Sequence, residues 1–209
     1  MIKITNLDIY GWEPAIRGMR NPHNSWDKSD SGLYSIGEHN VGIEIGDNDY
    51  SLMKNLAKAG TDHRKFMRMI VVYVDIIAPL YWWKEFDTYK VGTVTNSCST
   101  MHKIAEKEFE FSDFSDEHLM LNYTDILVDV IAALNKAREE YLETKDKKYW
   151  WQMIQLLPSS YNQRRTVMLN YEVLANIYKS RKSHKLDEWC EFCKWIEGLP
   201  YSELITGKE

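Results

Sequence analysis

The chain has 209 residues, enough for one domain with a sizeable core and no need of a metal or disulfide to hold it together. It sets 26 Lys and Arg against 31 Asp and Glu, a net charge of -5, which excludes a general electrostatic footprint for nucleic acid. Its three cysteines, Cys98, Cys190 and Cys193, are too few and too odd in number for a disulfide framework and point to a reducing compartment. The N-terminal segment lacks the apolar core of a signal peptide, and the longest apolar run, Met69 to Trp83, is broken by Asp75 and Pro79. The expectation is a cytoplasmic protein with no nucleic-acid and no membrane partner.

In chain order, Ile2 to Tyr10 alternates β-branched and aromatic residues, as a strand with one slip at Thr5–Asn6 would. The polar stretch from Arg20 to Asp30, with Trp26 in its middle, reads as a lid in preference to a well-bonded loop, because an exposed tryptophan otherwise has little purpose there. Asp47 or Asp49 is expected to cap a helix running through Leu52, Met53, Leu56 and Ala57 to Gly60. Met69 to Ile77 is rich in Val and Ile and predicts a buried strand, and Pro79 stands where a short aromatic helix would begin.

A loop of small polar residues, Gly92 to Thr100, comes next. Ser115 or Asp116 opens a long amphipathic helix with Tyr123, Ile126, Leu127, Val130, Ile131 and Leu134 on its inner stripe. Three more helices are expected: Asp146 to Pro158, about Ser160 to Arg181, and Asp187 to Gly198. Strands early and helices late indicate an α+β fold, a small mixed sheet with several packed helices and a helical C-terminal half. Nothing divides the chain, so a single domain over residues 1–209 is expected.

The segment Ala78 to Lys103 is the richest in chemistry. A buried strand feeds a short helix, which delivers its end into a loop of Thr, Asn, Ser and Cys, with Lys84, Lys90 and Lys103 nearby. Small polar side chains and free backbone N–H groups suit a phosphate, although such loops are common on ordinary surfaces. The order Ala-Pro, aromatic helix, then Asn96-x-x-Ser99 resembles the signature of flavin-dependent thymidylate synthases, with one residue inserted before Asn96. Leu157, Pro158, Asn170, Arg181 and His184 fall at corresponding places of the family's C-terminal motif. Gly60 and Phe66 echo a third motif, with Arg68 where its last histidine would be.

The departures fall on cations. The family's Arg-His-Arg becomes Thr88, Tyr89 and Lys90; the arginine after the serine becomes Met101; two further arginines become Ile154 and Glu172. Arginine grips phosphate through a bidentate fork that neither Met nor Ile can replace.

The resemblance implies a family fold with FAD as cofactor and NADPH and methylenetetrahydrofolate as co-substrates in methylating dUMP. It also implies a site built between subunits of a homotetramer. In that scheme Ser99 and Arg181 contact the nucleotide. Lys90, Asn96, Asn170, His184 and Arg68 would serve the cofactor, and no metal is implied. Three readings compete: a protein keeping the nucleotide or flavin cleft with altered or lost catalysis, an active enzyme with substituted phosphate ligands, and a non-enzymatic oligomer reusing the fold. Cys190-x-x-Cys193 reads as helix packing, since no second ligand pair exists for zinc. The pairs Trp82–Trp83 and Trp150–Trp151 read as core or interface residues. The remaining histidines, His39 among them, read as surface or loop residues, except His102, which lies near the polar loop.

Overall fold

A computed structural model describes residues 2–36 and 40–208; His39 lies outside them. The elements run β1 (Lys3–Tyr10), α1 (Trp12–Arg20), β2 (Gly32–Ile36), β3 (Asn40–Glu44), α2 (Asp47–Lys58), β4 (Val71–Pro79), α3 (Leu80–Phe86), β5 (Val94–Ser97), α4 (Leu121–Thr144), α5 (Lys147–Leu156), β6 (Asn162–Asn170), α6 (Tyr171–Arg181), α7 (Asp187–Glu197) and α8 (Glu203–Thr206). One sheet has the order β1-β4-β6-β5, and β2 and β3 form an antiparallel hairpin from Gly32↔Glu44 to Ile36↔Asn40. The class is α+β, as expected.

The chain forms two compact units, with boundaries that fall inside β1, β4, β5 and β6. The first unit takes in the chain up to Thr5, Asp75–Thr88 and Thr95–Thr166. Its core gathers Phe109, Phe114, Leu127, Leu134 and Met153 around the packed pair α4 and α5. The second unit takes in Asn6–Val74, Tyr89–Val94 and the chain from Val167 onward, and buries Met53, Met67, Ile70, Tyr171, Leu174 and Trp189.

Several expectations need correction. The segment from Ser160 to Arg181 is a strand followed by a helix. Gln163, Val167 and Leu169 are buried and half-buried Arg165 continues the alternation between them, and Asn170 then caps α6, its side chain accepting from Val173 N–H at 3.0 Å. The long helix begins at Leu121, because Phe114 is bridged to Tyr161 and Ser115 Oγ donates to Asn162 at 3.0 Å, which commits the segment before it. Of its expected inner stripe only Leu127 and Leu134 are fully buried; Tyr123 and Ile126 are exposed. Helix α1 and the hairpin escaped the sequence reading, and β5 occupies part of the expected polar loop.

The start of α2 also differs from expectation. Its N-cap residue is Gly46, and the capping carboxylate comes from Asp30, which accepts from Asn48 N–H at 2.9 Å and Asp49 N–H at 3.0 Å. A Cβ on Gly46 would stand 2.2 Å from Asp30 Cγ, so only glycine admits this approach. Asp49 returns the favour. One of its oxygens accepts from Arg20 Nε at 2.6 Å, and the other from Ser29 Oγ, Ser31 Oγ and the backbone N–H groups of Asp30 and Ser31. The stretch from Arg20 to Asp30 is therefore a well-bonded loop, with Trp26 on the outside donating to Asn21 Oδ1.

Burial pushes the Asp49 carboxyl upward, but the bonds from Ser31, Ser29, Arg20 and Asp30 outweigh it and hold the group below its ordinary value. Stability from Asp49 is thus present above the unfolded carboxylate range, near pH ~4, and is lost as pH falls through the lower folded value. Asp49→Ala leaves Arg20 buried without its partner and is expected to cost about 3–5 kcal/mol, with a flatter acid limb. Urea unfolding of both proteins across the acid range measures both effects.

Candidate functional site

Asn96 and Ser99 belong to the first unit, and Arg68, Lys90, Asn170, Arg181 and His184 to the second. Each set is built by different elements.

In the first unit, β5 leads through Cys98 into the turn at Ser99. The Cys98 N–H donates to Arg164 O at 3.0 Å, and Gln163 Nε2 donates to Cys98 O at 2.8 Å, so the residue before Ser99 is clamped on both sides. Gln163 O accepts in turn from Trp83 Nε1 at 2.9 Å. Arg165 lies over the Trp83 ring, 4.3 Å from its centroid, and donates to Gln163 Oε1 and Asp87 Oδ1. Gln163, Arg165 and Trp83 were not foreseen as supports; the signal was the period of two in β6.

Ser99 Oγ accepts from His102 N–H at 3.0 Å, which leaves its own proton to donate. Ser99 lines a hollow of about 560 Å³ together with Cys98, Lys103, Tyr161, Asn162 and Arg164. The cations of that hollow are committed: Lys103 is paired with Glu106, and Arg164 with Asp75 at 2.6 Å. Asn96 is exposed on β5.

In the second unit, residues far apart in sequence meet. Arg181 Nε donates to Tyr89 OH at 2.9 Å, and Arg181 Nη1 stands 2.9 Å from His184 Nε2. The guanidinium sits 4.8 Å from the centroid of Trp189 and 5.7 Å from that of Tyr89, in cation–π range of both. His184 Nδ1 faces Leu186 N–H at 3.2 Å. A neutral imidazole has one acceptor nitrogen, so it serves either Arg181 or Leu186 at a time. Tyr89 stands where the family motif has its histidine, and Arg181 and His184 are the retained family positions.

Asn170 caps α6, and its Nδ2 lies 2.8 Å from where a Cβ on Gly92 would be. Gly92 has φ +76, so this loop approaches the cap through a glycine-only conformation. Lys90 and Arg68 are exposed, and neither has an ion-pair partner among the described residues.

The replaced positions have other uses. Glu172 is paired with Arg64 at 2.8 Å, and Arg64 also donates to Asn176. Ile154 packs against the helical core of the first unit, and Met101 is exposed. Cys190 donates through sulfur to His184 O, while burial pushes the Cys193 thiol up to about 11, as suits helix packing. Among the described residues no group of three or more His, Cys, Asp or Glu is placed to hold a metal, and no helix is long and apolar enough to cross a membrane.

Asn170→Ala is expected to cost about 1 kcal/mol as a lost cap. Gly92→Ala is expected to cost about 1–3 kcal/mol through its positive φ and its clash with Asn170. Because the second substitution's clash vanishes in the first, the double variant is expected to lose less than the sum, by more than about 0.5 kcal/mol. Thermal unfolding of the four proteins measures this coupling, and strict additivity would refute the contact.

No protein-family profile and no curated protein matches the sequence. Solved structures do match it. The flavin-dependent thymidylate synthase ThyX from Helicobacter pylori, complexed with FAD and dUMP, superposes with a TM-score of 0.71 at 16% identity, over 98% of this chain and 97% of that one. A second structure of the Helicobacter pylori enzyme with FAD and dUMP gives 0.70 at 17% identity, over 99% and 97%. The UMP/dUMP methylase PolB from Streptomyces cacaoi, bound with 5-Br dUMP, gives 0.63 at 15% identity, over 99% and 95%. From end to end, the chain has the fold of the flavin-dependent thymidylate synthases.

Proposed function

We propose that this protein is a diverged member of that family, a single cytoplasmic domain of residues 1–209. It keeps a nucleotide- and flavin-binding cleft and has altered or lost catalysis. The observation that carries the reading is the contact of Arg181 with Tyr89 and His184. Motif positions separated by more than ninety residues meet there, in a chain whose fold is that of enzymes crystallised with FAD and dUMP.

The residues present fit FAD. A diphosphate needs cations that are not already neutralised, and Arg68 and Lys90 have that character. Asn170 and His184 would face the ring system, and Asn96 would add an amide. FAD, when bound, supplies the hydride chemistry, with NADPH and methylenetetrahydrofolate as co-substrates in an active protein. Ser99 would donate its proton to the nucleotide, and Arg181 would orient the uracil ring or the phosphate of dUMP.

The altered catalysis follows from charge. The Ser99 hollow holds Lys103 and Arg164, but each is paired with a carboxylate. Glu172 puts a negative charge where the family has a positive one. A charge-assisted hydrogen bond contributes roughly 1.5–3 kcal/mol, so the loss of two or three removes most of the affinity for a phosphate dianion.

A homotetramer has support of its own kind. Helix α4 and the residues before it expose Met120, Leu121, Tyr123, Ile126 and Val128, with Leu121 81% exposed. Exposed large apolar side chains gathered at one end of a helix suit an interface with another copy. Leu121→Glu with Ile126→Glu is expected to yield a smaller particle in analytical ultracentrifugation.

The purified protein is expected to carry flavin absorbance, or to gain thermal stability with FAD or dUMP. Ser99→Ala and Arg181→Ala are each expected to weaken dUMP at least about tenfold. A colourless protein that neither ligand stabilises would leave the fold serving an interaction role instead. Formation of dTMP coupled to NADPH oxidation separates an active enzyme from a binding protein.

A further inference from the structure

The second unit has another hollow, of about 820 Å³, formed by α2, the end of α6, and α8 with the residues after it. Among the described residues its lining brings together Lys54, Lys58, Lys179, Lys182 and Lys208 against one carboxylate, Glu203. This concentration occurs in a chain whose net charge is -5. The residues of the Arg181 cluster take no part in it.

Part of the pattern has an ordinary cause. Lys58 and Lys179 lie in the last turns of α2 and α6, where the helix dipole favours cations. That does not account for Lys54, a turn earlier and four residues from Lys58, or for Lys182, three residues from Lys179. Each is a like-charge neighbour on its own helix, an arrangement that opposes folding. Nor does it bring the lysines of three elements to one concavity.

Lys58 is already engaged, and among the described residues the nearby carboxylates absorb little of the remaining charge. Glu203 accepts from Tyr50 OH at 3.0 Å; burial, then Glu203, pushes the Tyr50 hydroxyl up to about 12, so it stays a donor. Glu197 takes Lys208 Nζ and Tyr178 OH, both at 2.6 Å. Lys54 lies 4.6 Å from the centroid of the Tyr50 ring, and Lys182 lies 5.9 Å from that of Tyr178, which holds two ammonium groups along the walls. The hollow is within the size range of small-molecule sites. Lys54 on α2, with Lys179 and Lys182 at the end of α6, adds three ammonium groups to the Lys208–Glu197 pair, which makes the hollow a receptor for several negative oxygens at once.

We propose that this lysine-lined hollow binds a small phosphorylated anion, at a site separate from the Arg181 cluster. The probe is inorganic pyrophosphate, titrated calorimetrically into the full chain at fixed ionic strength, with sodium chloride as the matched control. Saturable binding and a raised Tm are expected. Lys54→Gln/Lys179→Gln/Lys182→Gln is expected to weaken binding at least about tenfold with unchanged circular dichroism. The single variant Lys182→Gln gives a smaller loss in the same direction, and provides the reading if the triple variant misfolds. Equal binding by the lysine variants, or an effect no greater than that of chloride, overturns the proposal.

Discussion

The second unit is organised around a reciprocal exchange between two aspartates. Asp30 supplies the cap that α2 lacks in its own sequence, and Asp49, from the first turn of α2, satisfies the backbone and hydroxyls of Ser29 to Ser31. Arg20 joins from the end of α1 and also holds Ser25. Asp49 is 0% exposed, so its desolvation cost is large, and only this many donors can offset it. Breaking any one link strands a buried polar group. The start of α2, the end of α1 and the loop between them are consequently fixed as one piece.

What the sequence revealed depended on whether the cause was local. Strand β4, the aromatic helix after Pro79 and helix α5 rest on neighbouring residues: a Val/Ile run, a proline, and Asp146 accepting from Lys148 N–H. They were legible. The cap of α2 was not, because its carboxylate arrives from Asp30, and the real task of Asp49 is with residues eighteen to twenty-nine positions away. Strand β6 reads as helix in the sequence because its apolar run, Val167 to Leu169, is too short to separate the two periods. The clue passed over was Asn170, which can begin a helix but sits poorly inside one.

The candidate site shows the same division. The motif residues could be picked out by type and order, but not their partners. Arg181 is held by Tyr89, a residue that counted as a departure from the family pattern. A phenol cannot carry the charge of an arginine or histidine, yet it can accept from a guanidinium and hold it in place. Beneath Ser99, a chain of donors from Trp83 through Gln163 to Cys98 sets the turn rigidly. The scaffold around both motif segments is firm, and what has changed is the balance of charge within it.

Glu172 shows how tightly one of those charges is tied to the packing around it. The carboxylate is the partner of Arg64, whose guanidinium is largely buried. An arginine at 172 would set two guanidinium groups side by side and leave both without a counter-charge. A basic residue at 172 is therefore compatible with this packing only if position 64 gives up its own charge.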